Sequence, residues 1–298
     1  MTNVHEHDEP WRALDAHPRA IVEALAAQDT FRATIGGLHA LEVGWPRATQ
    51  RATSRSSDVL IELTSGAQDA FELALSLPAE IAARWVDRAL GGHGDSGLAS
   101  ASGTLSDAEC GVLAYLASRT CKDLGTLSVR DVRTGSPPDT SVLWPIKLAG
   151  VTFACALAPW RAEALPGRHL LSASVFDHGP EAFRAGEVWI SDHWNLSTTS
   201  DGLAGEVQLA SAGCATTLDA IYTRGRVHAH APGPARNGIE VVLASAEVRF
   251  IDLATIAAGE PFPLAPAQKV MLRRGPDTVA HGELVTWRGA VGVRINEA

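Results

Sequence analysis

The chain has 298 residues, 46% of them apolar and 20% charged, with 25 basic against 34 acidic side chains and a net charge of −9. These proportions exclude wholesale disorder and allow two domains or three small ones. The acidic balance argues against general nucleic-acid binding, which draws on Lys and Arg at phosphates, and against a polybasic membrane-surface protein.

The opening residues, MTNVHEHDEPW, are acidic where an export signal would be basic and then apolar, so the expected compartment is the cytoplasm. No run of about 18 apolar residues provides a transmembrane helix. Residues 1–30 carry six acidic groups (Glu6, Asp8, Glu9, Asp15, Glu23, Asp29) against Arg12 and Arg19. They read as an acidic, solvated tail leading into a helix around residues 19–28. His5 and His7 belong to that tail and read as solvated, not as a metal site.

Residues 31–167 alternate strand and helix signals. Val59 to Leu63 and Ala70 to Leu77 are apolar runs of strand length. Pro78 then opens a helix with Ile81, Trp85 and Ala89 on one face, ended by Gly91-Gly92. A Gly/Ser-rich stretch, 91–103, follows. Ser106 and Glu109 form a capping box, and Leu105, Val112, Leu116 and Leu124 give the next helix an apolar stripe. Strands are predicted at 127–132, 141–148 and 151–157. The order indicates an α/β or α+β layer.

From residue 168 the helical period fades. Short strands are predicted at 188–190, 206–209, 216–221 and 226–230, then at 241–243, 247–253, 269–272, 282–285 and 291–295. One short helical turn is predicted at 253–257, and turns at Gly275-Pro276-Asp277 and Arg288-Gly289. Residues 231–238, APGPARNG, read as a linker. A repeat is visible: Ala185-Gly186-Glu187 precedes Val188-Trp189-Ile190, and Ala258-Gly259-Glu260 precedes Pro261-Phe262. Two copies of one β unit of about 55–65 residues account for it, each with too little core to be stable alone. The overall prediction is an α+β multidomain chain: tail 1–30, α/β domain 31–167, a first β unit 168–232, linker 233–239 and a second β unit 240–298.

The C-terminal stretch resembles the SpoA domain of the FliM/FliN family, which includes the flagellar switch proteins and the type III secretion C-ring proteins (SctQ, the YscQ/HrcQ group). The likeness lies in the turn Leu253–Ala257, Gly259-Glu260, the extended segment at Leu264, a strand Val270–Leu272, Gly282-Glu283-Leu284 and the closing Gly292-Val293-Arg294-Ile295. Residues 168–232 look like a diverged first SpoA domain. VDRALGG (86–92) and TLSDAE (104–109) resemble the FliM middle domain and the CheC-type phosphatases. Two SpoA-like units, and an N-terminus without the acidic-hydrophobic segment by which FliM captures phosphorylated CheY, favour the secretion branch.

The resemblance implies a non-enzymatic scaffold of the cytoplasmic C-ring or sorting platform, peripheral at the inner-membrane face of the secretion apparatus. A flagellar switch component is the alternative, and a CheC-like phosphatase the rival from another class. The implied partners are stator and adaptor proteins of the export ATPase and chaperone–cargo complexes, with no cofactor, metal or nucleic acid. It also implies SpoA self-association, within the chain or with a short C-terminal product. With only Met1 and Met271 present, such a product needs a non-AUG start, near Val227 or Val241. The expected interface is the apolar face that one unit cannot cover: Val248, Phe250, Leu253, Phe262, Leu264, Val270, Leu272, Leu284, Val291, Val293 and Ile295, with Arg294 as its charged member.

Other motifs read as structural. Cys110, Cys121, Cys155 and Cys214 form no CxxC pair. Cys110 and Cys121 lie about 16 Å apart along a helix, too far for a disulfide. A CheC-type site needs Asn three residues after its Glu, but Glu109 is followed by Val112. Gly92-His93-Gly94-x-x-Gly97 spells GxGxxG without the strand that should precede it. His228 and His230 share one strand face with no third ligand in view. Asn195-Leu196-Ser197 is a glycosylation sequon by spelling alone. The eight tryptophans read as core or interface anchors.

Overall fold

The computed structural model describes residues 17–36, 41–48, 58–64, 72–94, 105–122, 127–139, 141–165, 168–211, 214–233 and 238–298. The fold is α+β, and the chain divides at Gly167–Arg168 into two compact units.

The first unit opens with helices α1 (His17–Ala27) and α2 (Asp29–Ile35). Its strands are β1 (Glu42–Val43), β2 (Arg47–Ala48), β3 (Val59–Thr64), β4 (Leu73–Leu77), β5 (Ser128–Thr134), β6 (Val142–Leu148) and β7 (Val151–Leu157). Between β4 and β5 come α3 (Ala79–Ala89) and α4 (Asp107–Lys122), and α5 (Pro159–Ala164) follows β7. The antiparallel sheet runs β1-β6-β7-β4-β3-β5, with β2 also on β6. The runs VLIEL and LALSL sit in its middle and are wholly buried, as continuous apolar strands must be when both faces are covered. Phe31 of α2 packs edge-on to Trp85 of α3, centroids 4.9 Å apart, and lies 6.0 Å from Phe153 of β7.

Ser106 and Glu109 form the expected capping box on α4. The Ser106 N–H donates to Glu109 Oε2 (2.7 Å), and the Glu109 N–H donates to Ser106 Oγ (3.4 Å). The buried face of this helix differs from the predicted stripe. It is Leu113, Leu116, Ala117, Thr120 and Cys121, while Val112 is half-buried. Leu124, like residues 70–71, lies outside the described residues. Thr120 and Cys121 are small enough to pack closely, which an inventory of large aliphatics overlooks.

The second unit is one sheet of eleven strands. They are β8 (His169–Asp177), β9 (Val188–Ile190), β10 (Leu196–Thr199), β11 (Gly202–Ser211), β12 (Thr217–Thr223), β13 (Arg226–Gly233), β14 (Ile239–Val248), β15 (Phe262–Pro263), β16 (Pro266–Arg274), β17 (Asp277–Trp287) and β18 (Ala290–Glu297). One helix, α6 (Phe250–Ala257), interrupts them. The order is β15-β13-β12-β11-β8-β14-β16-β17-β18-β9, with β10 on β11. It reads as the same five-strand series outward from each side of the β8–β14 pair. β8 matches β14, β11 to β13 match β16 to β18, and the two edge strands match each other.

Those edges are exchanged. β9, from the first half, pairs with β18 of the second, and β15, from the second half, pairs with β13 of the first. At the centre Ala173 faces Ala244, both fully buried. Arg224-Gly225 joins β12 to β13, and Arg288-Gly289 joins β17 to β18. All four residues have positive φ (52°, 68°, 52° and 87°), the geometry of a type I′ hairpin turn. Gly186 and Gly259 of the two Ala-Gly-Glu segments also match, at φ 87° and 85°.

Two predicted features change. Residues 247–253 were expected to be extended, but β14 stops at Val248 and Phe250 begins α6. Asp252 receives the Arg249 backbone N–H (2.9 Å) and its guanidinium (2.9 Å), which fixes that helix start. Second, β8 is a full nine-residue strand that the sequence reading does not contain.

Candidate functional site

Of the twelve predicted interface residues, Val248, Phe250, Leu253, Leu264, Val270, Leu272, Val291, Val293 and Ile295 are buried within the second unit itself. Phe262 and Leu284 are half-buried. Arg294 is exposed and pairs with its cross-strand neighbour Glu283 (2.9 Å). The apolar stripes are therefore core, because the two halves cover each other.

Some of these residues do stand at a junction, the one between the halves. Val293 lies opposite Trp189 and Arg294 opposite Val188. The Gly186 N–H donates to the Ile295 carbonyl and the Ile295 N–H to the Glu187 carbonyl, both at 2.8 Å. At the other edge Phe262 lies opposite Val227, and the Leu264 N–H donates to the Gly225 carbonyl (2.8 Å). The buried Tyr222 hydroxyl donates to the Leu264 carbonyl (2.9 Å).

The remaining candidates fall into place singly. Gly92 and Gly94 wrap the end of α3: the Gly94 N–H donates to Asp87 Oδ2 (2.7 Å), and Gly94 has φ 77°. Gly97 lies outside the described residues. His228 is half-buried and His230 exposed on β13. Trp45, Trp85 and Trp194 are buried, whereas Trp160 and Trp287 are 43% and 56% exposed; Trp11 is outside the described residues. Burial pushes the Cys155 thiol up to about 12 and those of Cys121 and Cys214 up to about 11. Such thiols stay protonated and unreactive.

One cluster was not anticipated. Asp177 ends β8, and burial raises its carboxyl. Hydrogen bonds from Ser191 and from the His178 N–H, with His193 nearby, outweigh that and hold it below its ordinary value. His193 Nδ1 lies 3.3 Å from Asp177 Oδ1, and the His193 backbone N–H donates to Ser191 Oγ (3.1 Å). The Ser191 hydroxyl thus donates to Asp177 and accepts from the His193 backbone, not from its imidazole, and the cluster ties the β9–β10 segment to β8 without forming a nucleophilic relay.

Beside this cluster a row of polar side chains crosses the sheet. Arg273 of β16 lies 3.9 Å from Glu240 of β14, Ser174 of β8 donates to Glu240 (2.7 Å), and Gln208 of β11 donates to Asp219 of β12 (3.0 Å). Ser174 and Gln208 are buried. The β9–β10 segment, His193 to Asn195, closes a cavity of 270 Å³ over part of this row. In the first unit a larger cavity of 990 Å³ lies among α1, α4 and the end of α3, where Leu90 and Tyr115 are 71% and 61% exposed.

No family model matches the chain, and no curated protein matches it. Among solved structures it is similar to FliY from Thermotoga maritima, with 15% identity over 55% of this chain and 96% of that one, and a TM-score of 0.34. It is also similar to a FliG–FliM complex from H. pylori, with 14% identity, 51% and 93% coverage and a TM-score of 0.34. A FliM–SpeE complex from the same organism gives 12% identity, 55% and 94% coverage and a TM-score of 0.32.

Proposed function

We propose that the chain is a non-enzymatic scaffold subunit of the cytoplasmic C-ring, or sorting platform, of a type III secretion system. The observation that carries this reading is the eleven-stranded sheet built from two equivalent halves with exchanged edge strands. It fits the paired SpoA units that the sequence resemblance implies. Stator binding belongs to this paired sheet and adaptor docking to residues 1–170, with chaperone-bound cargo engaged by the assembled platform. The subunit sits peripherally at the cytoplasmic face of the inner membrane.

A flagellar switch role is the second reading, favoured by the likeness of residues 86–92 and 104–109 to the FliM middle domain. Deletion of the gene in its own host separates the two. The scaffold reading expects export of secreted effectors to stop while swimming continues. Loss of swimming with intact export would transfer the assignment to the flagellar motor, and loss of neither would overturn both. Glu109 is held by the helix cap and has Val112 three residues on, so purified protein is expected to leave a phosphorylated response regulator unchanged. Accelerated dephosphorylation would replace the scaffold reading with an enzymatic one.

A further inference from the structure

We propose that the 270 Å³ cavity of the second unit is a recognition pocket for one arginine side chain presented by a partner polypeptide. The floor of the cavity is set by strand register. Gln208 lies opposite both Ser174 and Asp219, and Glu206 is two residues before Gln208 on the same strand. Side chains at opposed positions, and at i and i+2, share one face of a sheet. Glu206, Ser174, Gln208 and Asp219 therefore project together. The β9–β10 segment forms the opposite wall with Trp194, and the Glu206 N–H, donating to the Asn195 carbonyl (3.1 Å), holds the two walls in register.

Charge selects the ligand. Among the described residues two carboxylates, Glu206 and Asp219, line the cavity beside His193 and His230, and no Lys or Arg does. Arg224, in the β12–β13 turn, pairs with Asp201 (2.9 Å), and Arg273 of β16 lies 3.9 Å from Glu240. An entering anion would meet like charge, and an entering cation would meet two acceptors on separate strands. Size restricts the ligand to one side chain, since 270 Å³ is too small for a helix or an added strand. Shape favours guanidinium over ammonium. A planar fork of five donors reaches two carboxylates at once and lies flat on an indole. Trp194 also lines the cavity, and its indole N–H is buried without an acceptor among the described residues.

That the arginine belongs to a polypeptide rests on the scaffold reading; the chemistry of the pocket does not. The test is an NMR titration of the full-length chain with acetyl-Gly-Arg-Gly-amide, following the Trp194 indole resonance. The citrulline peptide, equal in shape but uncharged, and the lysine peptide serve as comparisons. Saturable shifts with a dissociation constant in the millimolar range are expected for arginine, several-fold weaker binding for lysine, and none for citrulline. Glu206→Gln and Asp219→Asn should each weaken the arginine peptide by about tenfold, and added salt should weaken it further. Equal shifts from citrulline, no saturation with arginine, or affinity untouched by both substitutions would overturn the proposal. The arginine–citrulline comparison uses the unaltered protein, so the folding of a variant has no bearing on it. Association with the secretion platform is read separately, and loss of that association would leave this titration unchanged.

Discussion

The two halves of the second unit share a backbone plan but little sequence. Where the second half places helix α6 between its central strand and its edge strand, the first has the irregular stretch 178–187. What both keep is sparse: the positive-φ glycine before the edge strand, the Arg-Gly hairpin turn, and small or β-branched side chains at buried sheet positions. Val227 and Val291, and then Ala229 and Val293, stand two and four residues beyond their turn glycines, all buried. Turn geometry and sheet burial thus define the unit, while the covering segment is free to change. That freedom explains why only the short Gly-Glu segment betrayed the repeat in sequence.

The pairing of the two halves depends most heavily on their buried core. Val293→Asp and the matching Ala229→Asp put a charge into the buried sheet, and each should cost about 4 kcal/mol or more. Because the halves complete each other, either change should abolish the whole unfolding transition of the second unit in urea. Survival of the first half alone in Val293→Asp would show two independent folding units. A smaller effect is expected of Tyr222→Phe, which leaves the Leu264 carbonyl buried without its donor. Chemical denaturation should register a loss of about 1–2 kcal/mol.

The turns sharpen the equivalence. Gly225→Ala and Gly289→Ala meet no atom within 4 Å of the added carbon, so the cost is that of positive φ alone, about 1 kcal/mol each. Thermal melts should show nearly equal shifts, and a marked difference between the turns would argue against their equivalence. The smallest effect belongs to the helix found only in the second half. Hydrogen bonding from Arg249 holds the Asp252 carboxyl below 3.8 against the opposing effect of burial. Ionised Asp252 therefore stabilises the folded state at neutral pH, and this contribution is lost as the pH falls through the depressed folded-state value. Asp252→Asn should cost under about 1 kcal/mol at pH 7. Its stability should converge with that of the unaltered protein once that value has been passed, as pH-dependent melts would show.

Much of the architecture was legible in the sequence. Residues 59–63 and 151–157 announce themselves by aliphatic and β-branched content, Pro78 marks the start of α3, and Ser106 with Glu109 marks α4. β8, one of the two central strands, stayed hidden because of its composition. Its middle, Ser172-Ala173-Ser174, is small and mildly polar so that β14 can approach at Ala244, and it shows neither alternation nor bulk. The predicted interface, drawn as the apolar face that one unit leaves uncovered, is mostly buried within the paired halves. Whether β18 is a free sheet edge depends on β9, which lies about a hundred residues away in sequence. The cavity that carries the arginine proposal had no linear signature either. Trp194, Glu206, Gln208 and Asp219 come from three segments and meet only through strand register.

The exchange of edge strands also bears on how the chain emerges during synthesis. Val188 of β9 has no sheet partner until Arg294 of β18 has been made, and β13 waits likewise for β15. Contacts so distant in sequence raise the contact order and slow folding. A nascent chain carries the unpaired Val188-Trp189-Ile190 segment through most of the synthesis of its own second half, a period in which such edges invite aggregation. The sheet closes only when its last strand is complete, so premature termination anywhere after β9 yields a chain that cannot seal itself.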